Sequence, residues 1–342
     1  MLTIGADRLT EVATDIFRAA GASADNTECV VSALIGANLA GHDSHGILRI
    51  PAYVNDIKNG RLDPKAAPEV VHEAGSTAIV DGGATFGQVG ARFSADTAIE
   101  KARSSGIAAV TAKNCHHTGR IGEWAERVAA AGMVGFATTA GIRGPYSTVP
   151  FGGAKGALGT NPLAWAFPRT GGKPPILLDY ATSAVAQGKL QVARAKGAPV
   201  PEGCIIDKHG NPTTDVEEYF DGGNLLPFAG HKGYSLSVVV ELLAVGLSGG
   251  ALVAEGTRGS CFFVLAMSPE AFLSRGDFDS YVESISERMT STPPAPGFSR
   301  VLLPGEPEAS TRAERLKDGI PVAERTWEQI QETASGLGVS IS

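Results

Sequence analysis

The chain has 342 residues, of which 43% are hydrophobic and 19% are charged, so it carries enough apolar material for a large globular core. Its formal net charge of -7 argues against a nucleic-acid-binding surface, because phosphate binding needs clustered Lys and Arg. Four scattered cysteines without a CxxC pair favour free thiols over disulfides or a zinc site. The opening run MLTIGADRLTEV has acidic residues where a signal peptide would have basic ones, so we expect a cytoplasmic protein.

The N-terminal region, residues 1–66, is predicted to be helical. Apolar residues recur at helical spacing over Leu9–Ala20. A further helix is predicted after Gly46, because the residues that follow form one apolar stripe: Ile47, Ile50, Val54 and Ile57. Gly60 and Pro64 then end the helical pattern.

Residues 67–342 are predicted to form one α/β unit that holds both the nucleotide and the substrate. Strand-like runs alternate with helical ones, and the expected strands are VVHEA, TAIVD, IAAVTA, MVGFATT, LAWAF, PILLDY and CFFVLAM. This alternation predicts an α/β fold with a mixed β-sheet covered by helices. Because no GxGxxG stands between a strand and a helix, an ordinary Rossmann fold is disfavoured.

One apolar run, SLSVVVELLAVGLSGGALV from Ser235, is long enough to raise the question of a membrane span. Glu241 lies near its middle and glycines crowd its second half, so the uninterrupted apolar stretch is well short of the ~20 residues that a bilayer needs. We predict a buried core helix that ends near Gly249, and no membrane association.

The segment HDSHGILRIPAY, from His42, is the first candidate site. If a helix begins near His45, then His45, Arg49 and Tyr53 share one face, opposite the apolar stripe. Arg suits a carboxylate because its planar fork binds both oxygens, and His exchanges protons near neutral pH. We therefore predict substrate contacts from Arg49 and Tyr53. A merely solvated polar helix face would give the same spacing.

The segment KNCHHTGRIG is the second candidate, because it follows a predicted strand and precedes a helix. The carboxyl end of a strand is where α/β proteins commonly bind ligands. His117 could face a cofactor or substrate there, although two histidines in a solvated loop are the alternative.

Three further segments combine tight turns with polar groups. GTNPLAW begins at Gly159, LLDYATSAVAQGK places an acid after a strand, and AGHKGYS puts Lys232 at the start of the predicted core helix. Each is also compatible with a plain helix cap or turn.

A metal site is the main competing interpretation. His42, His45, His116 and His117 are potential ligands, but adjacent histidines diverge on a strand and no cysteine joins them. No metal is therefore expected, and a metal-dependent hydrolase or lyase remains the enzyme alternative from another class. A non-catalytic small-molecule binding protein is the third possibility.

Taken together, these segments resemble the malate/L-lactate dehydrogenase family that lacks the Rossmann fold. That family also includes ureidoglycolate, sulfolactate and diketogulonate oxidoreductases and cyclic ketimine reductases. The resemblance runs in order through HDSHGILRIPAY, KNCHHTG, FGGAKGALGTNPLAWAFP, LLDYATSAVAQGK, HKGYSLSVVVELL, PAPGF and LPGEP.

The resemblance implies an NAD(P)-dependent oxidoreductase that moves hydride between nicotinamide and C2 of a small 2-hydroxy or 2-oxo acid. It implies NAD or NADP as cofactor, here with NAD preferred, and a homodimer. Ser44 and His45 correspond to a catalytic pair, with His117 as a second catalytic or cofactor-binding histidine. Arg49 corresponds to the carboxylate anchor and Thr160 to a substrate contact. The remaining implied cofactor contacts are Asp179, Tyr180, Ala181, His231, Lys232, Pro304, Gly305 and Glu306.

The chain departs from the family pattern at two places. The ketimine reductases carry an Asp relay where this chain has Lys189, which favours 2-hydroxy-acid chemistry over the cyclic ketimine reductase alternative. The residues before His117 are Asn-Cys-His where the family has an Asn-Ser-Asn-like run, so His116 is an additional group to which the resemblance assigns no role.

Overall fold

The fold is built on a mixed sheet, seen in a computed structural model that describes residues 1–144, 146–252 and 259–341. The strands are β1 (Leu2–Ile4), β2 (Glu69–Ala74), β3 (Thr77–Asp81), β4 (Ile107–Cys115), β5 (Val134–Ile142), β6 (Leu163–Phe167), β7 (Ile176–Tyr180), β8 (Ile205–Ile206), β9 (Pro212–Thr213), β10 (Asn224–Leu225), β11 (Gly259–Met267) and β12 (Ile320–Val322). The order in the main sheet is β2-β3-β4-β11-β5-β6-β7.

Helices cover this sheet and form the N-terminal region. They are α1 (Ala6–Ala19), α2 (Ala24–Leu39), α3 (Ile50–Lys58), α4 (Gly87–Ser105), α5 (Gly122–Ala130), α6 (Gln187–Lys196), α7 (Val216–Phe220), α8 (His231–Glu241), α9 (Arg275–Thr290), α10 (Glu306–Asp318) and α11 (Glu324–Ser335). The prediction of an α/β fold, with a mixed sheet flanked by helices, is confirmed.

Strand direction brings the candidate segments to one edge of the sheet. Strands β3 and β4 are parallel, and β11 is antiparallel to both β4 and β5, so β3, β4 and β5 run the same way. Strand β7 shares this direction because β6 is antiparallel to both β5 and β7. The carboxyl ends of these four strands therefore meet at one edge, together with the amino ends of β6 and β11.

Helix α4 joins β3 to β4 and packs closely on the sheet because its buried face consists of small residues. Gly90, Ala91, Ala95, Ala98 and Ala102 are among them. Because of this close packing, the first residues of α4 contact the loop that follows β4. A Cβ on Gly87 would lie 2.2 Å from the carbonyl oxygen of His116, so only glycine lets the helix and the loop approach this far.

The N-terminal helices close a second core together with the C-terminal segment. Strand β1 pairs antiparallel with β12, which the helical prediction for residues 1–66 did not foresee. Ile16, Leu34 and Ile50 share one buried cluster with Ile320 and Ile330. The division at residue 66 stays a prediction.

Helix α8 is only partly buried, which corrects the prediction of a buried core helix. It continues through a π-helical turn at Leu242–Gly246, so the helix ends close to Gly249, where its end was predicted. Val240 and Ala244 are buried, but Leu242 is 62% exposed. One face of the helix thus packs on the sheet and the other does not. Among the described residues, no helix has the length and apolar character needed to cross a membrane.

Candidate active site

A cleft of about 2510 Å³ opens at the sheet edge where the carboxyl ends of β4, β5 and β7 meet. The candidate segments from four separate stretches of sequence contribute to its walls. The predicted site residues that line it are Ser44, His45, Arg49, His117, Thr160, Asp179, Tyr180 and Ala181.

The backbone between His45 and Arg49 is broken at Gly46, so the predicted helix from His45 is wrong. Gly46 is extended between two short 3-10 turns, Asp43–His45 and Ile47–Arg49, and α3 begins only at Ile50. A Cβ on Gly46 would lie 2.1 Å from Oδ1 of Asn38, and that oxygen accepts the N–H of Ile47 at 2.8 Å. The side chain of Asn38 therefore fills the space that a side chain at position 46 would need, so only glycine fits there.

The broken segment nevertheless brings an imidazole and a guanidinium together. Ser44 Oγ and His45 Nδ1 are 2.9 Å apart, and Arg49 Nε donates to the carbonyl oxygen of Ser44 at 2.7 Å. This bond uses one guanidinium nitrogen and leaves the terminal pair for a ligand. Burial, followed by the charge of Arg49, lowers the pKa of His45 to about 3, so its imidazole is neutral at physiological pH.

His117 lies against His45 and completes a pair of neutral imidazoles. The two rings are stacked with their centroids 5.4 Å apart. Burial, and then the charge of Arg49, hold the pKa of His117 well below its usual value. The site therefore contains two neutral imidazoles beside the guanidinium of Arg49.

Tyr53 lies beneath these rings rather than beside them. It is 2% exposed, and its hydroxyl is 2.6 Å from His117 Nδ1. The helix that was predicted to place Tyr53 on one face with His45 does not continue through Gly46, and Tyr53 is buried in the core instead. Its contact with substrate stays a prediction.

The four candidate metal ligands do not converge. His116 Nε2 is 2.8 Å from Asp56 Oδ2, and Asp56 also pairs with Arg61. His42 instead faces Glu308 at 3.7 Å. Within residues 1–144, 146–252 and 259–341, no group of three His, Cys, Asp or Glu side chains is arranged to hold a metal ion.

Thr160 is fixed by the turn that precedes β6. Its carbonyl oxygen accepts the backbone N–H of Thr182 at 2.9 Å. The next residue, Asn161, has a φ of 38° and donates through Nδ2 to the backbone of Ser237 and to Glu241. Helix α8 thus anchors the turn that presents Thr160 to the cleft.

Asp179 joins the end of β7 to the start of α5. Its Oδ2 accepts the backbone N–H of Gly122 at 3.0 Å, and burial raises the pKa of its carboxyl. Arg120, which is 2% exposed, pairs with Glu126 nearby. Burial opposes the charge of this guanidinium, but the surrounding carboxylates outweigh it and raise the pKa of Arg120.

The remaining predicted cofactor residues lie outside the cleft wall. His231 and Lys232 are exposed at the start of α8. The carbonyl oxygen of Pro304 accepts the N–H of Leu177 in β7, Gly305 is buried against the same strand, and Glu306 begins α10. Their roles stay predictions.

Three cleft or near-cleft residues were missed from the sequence. Gln88 is fully buried and donates to Tyr53, while Asp56 and Arg120 form ion pairs at the cleft wall. The only sequence signal for Gln88 is a polar residue within the apolar start of a helix, FGQVG. Nothing in the sequence connects Asp56 with His116, since 60 residues separate them.

Comparison with known proteins gives one consistent family. Residues 4–331 match the profile described as malate/L-lactate dehydrogenase. The chain is 42% identical to hydroxycarboxylate dehydrogenase B of Escherichia coli (strain K12) over 335 residues, which cover 95% of this chain and 91% of that protein.

Other relatives differ in their named substrates but share the fold. The structure of sulfolactate dehydrogenase from Methanocaldococcus jannaschii superposes with a TM-score of 0.90 at 32% identity, covering 99% of this chain and 98% of that one. The chain is also 32% identical, over 97% of its length and 96% of the other, to Delta(1)-pyrroline-2-carboxylate/Delta(1)-piperideine-2-carboxylate reductase of Pseudomonas syringae pv. tomato.

Proposed function

The chain belongs to the malate/L-lactate dehydrogenase family, and from that premise we propose that it is an NAD(P)-dependent dehydrogenase of a small 2-hydroxy acid. In this reaction the C2–H and O–H bonds of the alcohol are broken and a 2-oxo acid is formed. The reverse reaction reduces the 2-oxo acid. NAD is the cofactor we prefer.

The observation that carries the proposal is the cluster of one guanidinium and two neutral imidazoles. Arg49 is held at Nε by Ser44, so its two terminal nitrogens form a fork of fixed orientation. Such a fork binds both oxygens of a carboxylate. We propose that a 2-hydroxy acid anchored there presents its C2 hydroxyl to His45 and His117, whose rings are stacked.

His45 is our choice for the residue that takes the hydroxyl proton. Because its pKa is about 3, it is unprotonated at neutral pH and is ready to act as a base in the oxidation direction. Ser44, in contact with Nδ1, orients the ring. In reduction, the bound carboxylate offsets the charge of Arg49 and raises the pKa of His45, which then takes up a proton and passes it to the C2 oxygen. His117 remains the rival for this role.

The cleft is compatible with a dinucleotide together with a small acid. Its volume of about 2510 Å³ exceeds the ~300–1,000 Å³ of an ordinary small-molecule pocket. When bound, a nicotinamide cofactor accepts or supplies the hydride at C2. We propose that His117, Asp179, Tyr180 and Ala181 hold it, with further contacts from the segments at His231–Lys232 and Pro304–Glu306.

Cyclic ketimine reduction is the second candidate, and the relative from Pseudomonas syringae is the reason to test it. The side chain at Lys189 argues against it. Lys189 lies in the first turn of α6 at the cleft wall and cannot serve as a carboxylate relay to His45.

We also propose that the protein is a homodimer. The outer face of α8 and the turns that follow it expose several large apolar side chains: Val239, Leu242, Leu247 and Leu252. An apolar face of this kind is expected to be covered by a partner, and a second copy of the chain is the occupant that we propose. Sedimentation analysis should give twice the mass of 35.2 kDa, whereas a monomer would contradict the proposal.

The direct test of the activity is a panel of 2-oxo acids and cyclic imines, each assayed with NADH and with NADPH. Oxidation of the reduced cofactor by a 2-oxo acid, and not by the imines, is the expected result. Faster reduction of a cyclic imine would favour the second candidate. A metal-dependent hydrolase or lyase would be favoured by a different pair of results. The protein would turn over no member of the panel, and it would have a hydrolase or lyase activity that a chelator abolishes.

The roles of the two histidines are tested by His45→Ala and His117→Ala, with turnover and cofactor affinity measured for each. Removing a general base should lower kcat by about 10²–10⁴-fold. We expect this for His45→Ala with cofactor affinity retained. Near-normal turnover in both variants would remove both residues from the mechanism.

A further inference from the structure

A chain of three buried polar groups runs from helix α4 to the cleft. Gln88 Nε2 donates to the hydroxyl of Tyr53 at 2.8 Å, and this hydroxyl is 2.6 Å from His117 Nδ1. Gln88 is 0% exposed and Tyr53 is 2% exposed, so water does not compete for these bonds. The proposed reaction assigns no role to these two hydrogen bonds.

The order of donors in the chain has a chemical consequence. An amide nitrogen has no lone pair to accept with, so Gln88 Nε2 must donate to the oxygen of Tyr53. Burial raises the pKa of Tyr53 to about 12, which keeps its proton in place. With its oxygen accepting from Gln88, the phenol has its own hydrogen to donate, and His117 Nδ1 is the acceptor at 2.6 Å. A neutral imidazole that accepts at Nδ1 carries its own hydrogen on Nε2.

We infer that Gln88 and Tyr53 are positioning residues that fix His117 as the Nε2–H tautomer. This inference rests on the proposed function. In this state His117 has no free lone pair at the cleft, so it cannot remove the hydroxyl proton. It donates a hydrogen bond to the C2 oxygen instead. The oxygen of a 2-oxo acid is polarised by this bond when hydride arrives at C2.

The inference divides the work between the two histidines. His117 holds the C2 oxygen, and His45, whose ring is stacked on it, exchanges the proton. Protonation of His117 is opposed from two sides. Besides Tyr53, the charged or titratable groups that act on it among the described residues are Arg49, His45 and His116, and all three disfavour the cation. The hydrogen of Tyr53 would also lose its acceptor.

The tautomer is measured by ¹⁵N NMR of histidine-labelled protein near pH 7, with His117→Gln used to assign the ring signals. The expected pattern has a protonated Nε2 and an unprotonated Nδ1 on His117. A proton on Nδ1 would overturn the inference, because His117 would then donate to the oxygen of Tyr53 instead of accepting from its hydroxyl. This readout needs no substrate, so its outcome is independent of the proposed activity.

Tyr53→Phe and Gln88→Met test the consequence for catalysis, with Tyr281→Phe as the matched control. Tyr281 is 65% exposed on α9 and has no part in these hydrogen bonds. In 2-oxo-acid reduction, we expect Tyr53→Phe to lower kcat by about 10-fold or more. Gln88→Met should lower it less, and the cofactor KM should stay within about twofold in both. Normal kcat in Tyr53→Phe would overturn the inference.

The pKa of His117 gives a reading that a merely structural role would not change. The hydrogen bond from Tyr53 stabilises the neutral ring, so its loss should raise the pKa of His117, by about 0.5–1 unit if the bond has an ordinary strength. If Tyr53 instead accepts from the ring, the same variant would lower the pKa or leave it unchanged, which contradicts the inference. Absence of turnover in the wild type would reject the proposed function and leave the tautomer result standing.

Discussion

Arg49 is held at one nitrogen only, and this makes its replacement by lysine informative. The guanidinium binds the carbonyl oxygen of Ser44 through Nε and still offers two nitrogens to a carboxylate. An ammonium group cannot do both with the same geometry. We expect Arg49→Lys to raise the KM of the acid substrate by about 10–100-fold, the equivalent of one lost charged hydrogen bond.

The cofactor KM should stay nearly constant in Arg49→Lys, because the change affects only the carboxylate anchor. Steady-state kinetics with each substrate varied in turn provides the measurement. Arg288→Lys on the exposed side of α9 makes the same chemical change away from the cleft and should leave both constants unaltered. Unchanged kinetics in Arg49→Lys would remove Arg49 from the substrate site.

The low pKa of His45 predicts that binding of an acid is coupled to proton uptake. Burial holds this pKa near 3, and the charge of Arg49 contributes further. A bound carboxylate offsets the charge of Arg49 and so raises the pKa of His45 toward its ordinary value of about 6.5. At a pH between the pKa of His45 in the free protein and its pKa in the complex with the acid, the complex binds more protons than the free protein. The affinity for the acid should therefore rise as the pH falls from about 7 to 5.

Calorimetry of an unreactive carboxylate in buffers of different ionisation enthalpy measures this uptake directly. We expect a fractional uptake that increases toward pH 5 and that is reduced in His45→Gln. An affinity independent of pH over this range, with no proton uptake, would show that neither imidazole responds to the anion.

At the level of elements, Gly188 sets how closely helix α6 approaches the catalytic turn. An added Cβ at Gly188 would lie 2.7 Å from the Cβ of Ser44, which is too close. Gly188→Ala should therefore displace Ser44 and the imidazole of His45 that it orients. We expect kcat to fall by about 10–100-fold, the range for a displacement of ~1 Å in a reacting group.

Gly276→Ala is the matched control for this prediction. Gly276 is also the second residue of a helix, α9, and an added Cβ there meets nothing within 4 Å. The control should keep full activity and gain slightly in stability, since alanine favours the helix. Equal kinetics in the two variants would show that α6 does not constrain Ser44.

The strands were predictable because their apolar runs are bounded by turn residues. The arrangement of the His45–Tyr53 segment was not. Periodicity assumes a continuous helix, but the backbone is extended at Gly46, and the N–H of Ile47 is bound by the side chain of Asn38. A tertiary contact therefore decided a local conformation. The Gln88–Tyr53–His117 chain depends on contacts 35 and 64 residues apart, which no local pattern reveals.

At the scale of the whole molecule, the two ends of the chain support the site together. Strand β1 pairs with β12, and α11 packs against α3, which carries Tyr53. The predicted helical region, residues 1–66, therefore shares its core with the last helix. Sequence patterns gave no sign of this, because pairing between residues some 320 positions apart leaves no local trace.

This shared core predicts that damage at the C-terminus loosens the N-terminal helices. Ile330 on α11 is 0% exposed, and Ile330→Ala should lower the free energy of unfolding by about 2–5 kcal/mol. Hydrogen exchange should accelerate in α1 and α2 as well as in α11, because all three bury side chains in one cluster. Leu316→Ala, at a position 60% exposed on α10, should leave stability and exchange unchanged. Faster exchange confined to α11 would show that residues 1–66 are stable on their own.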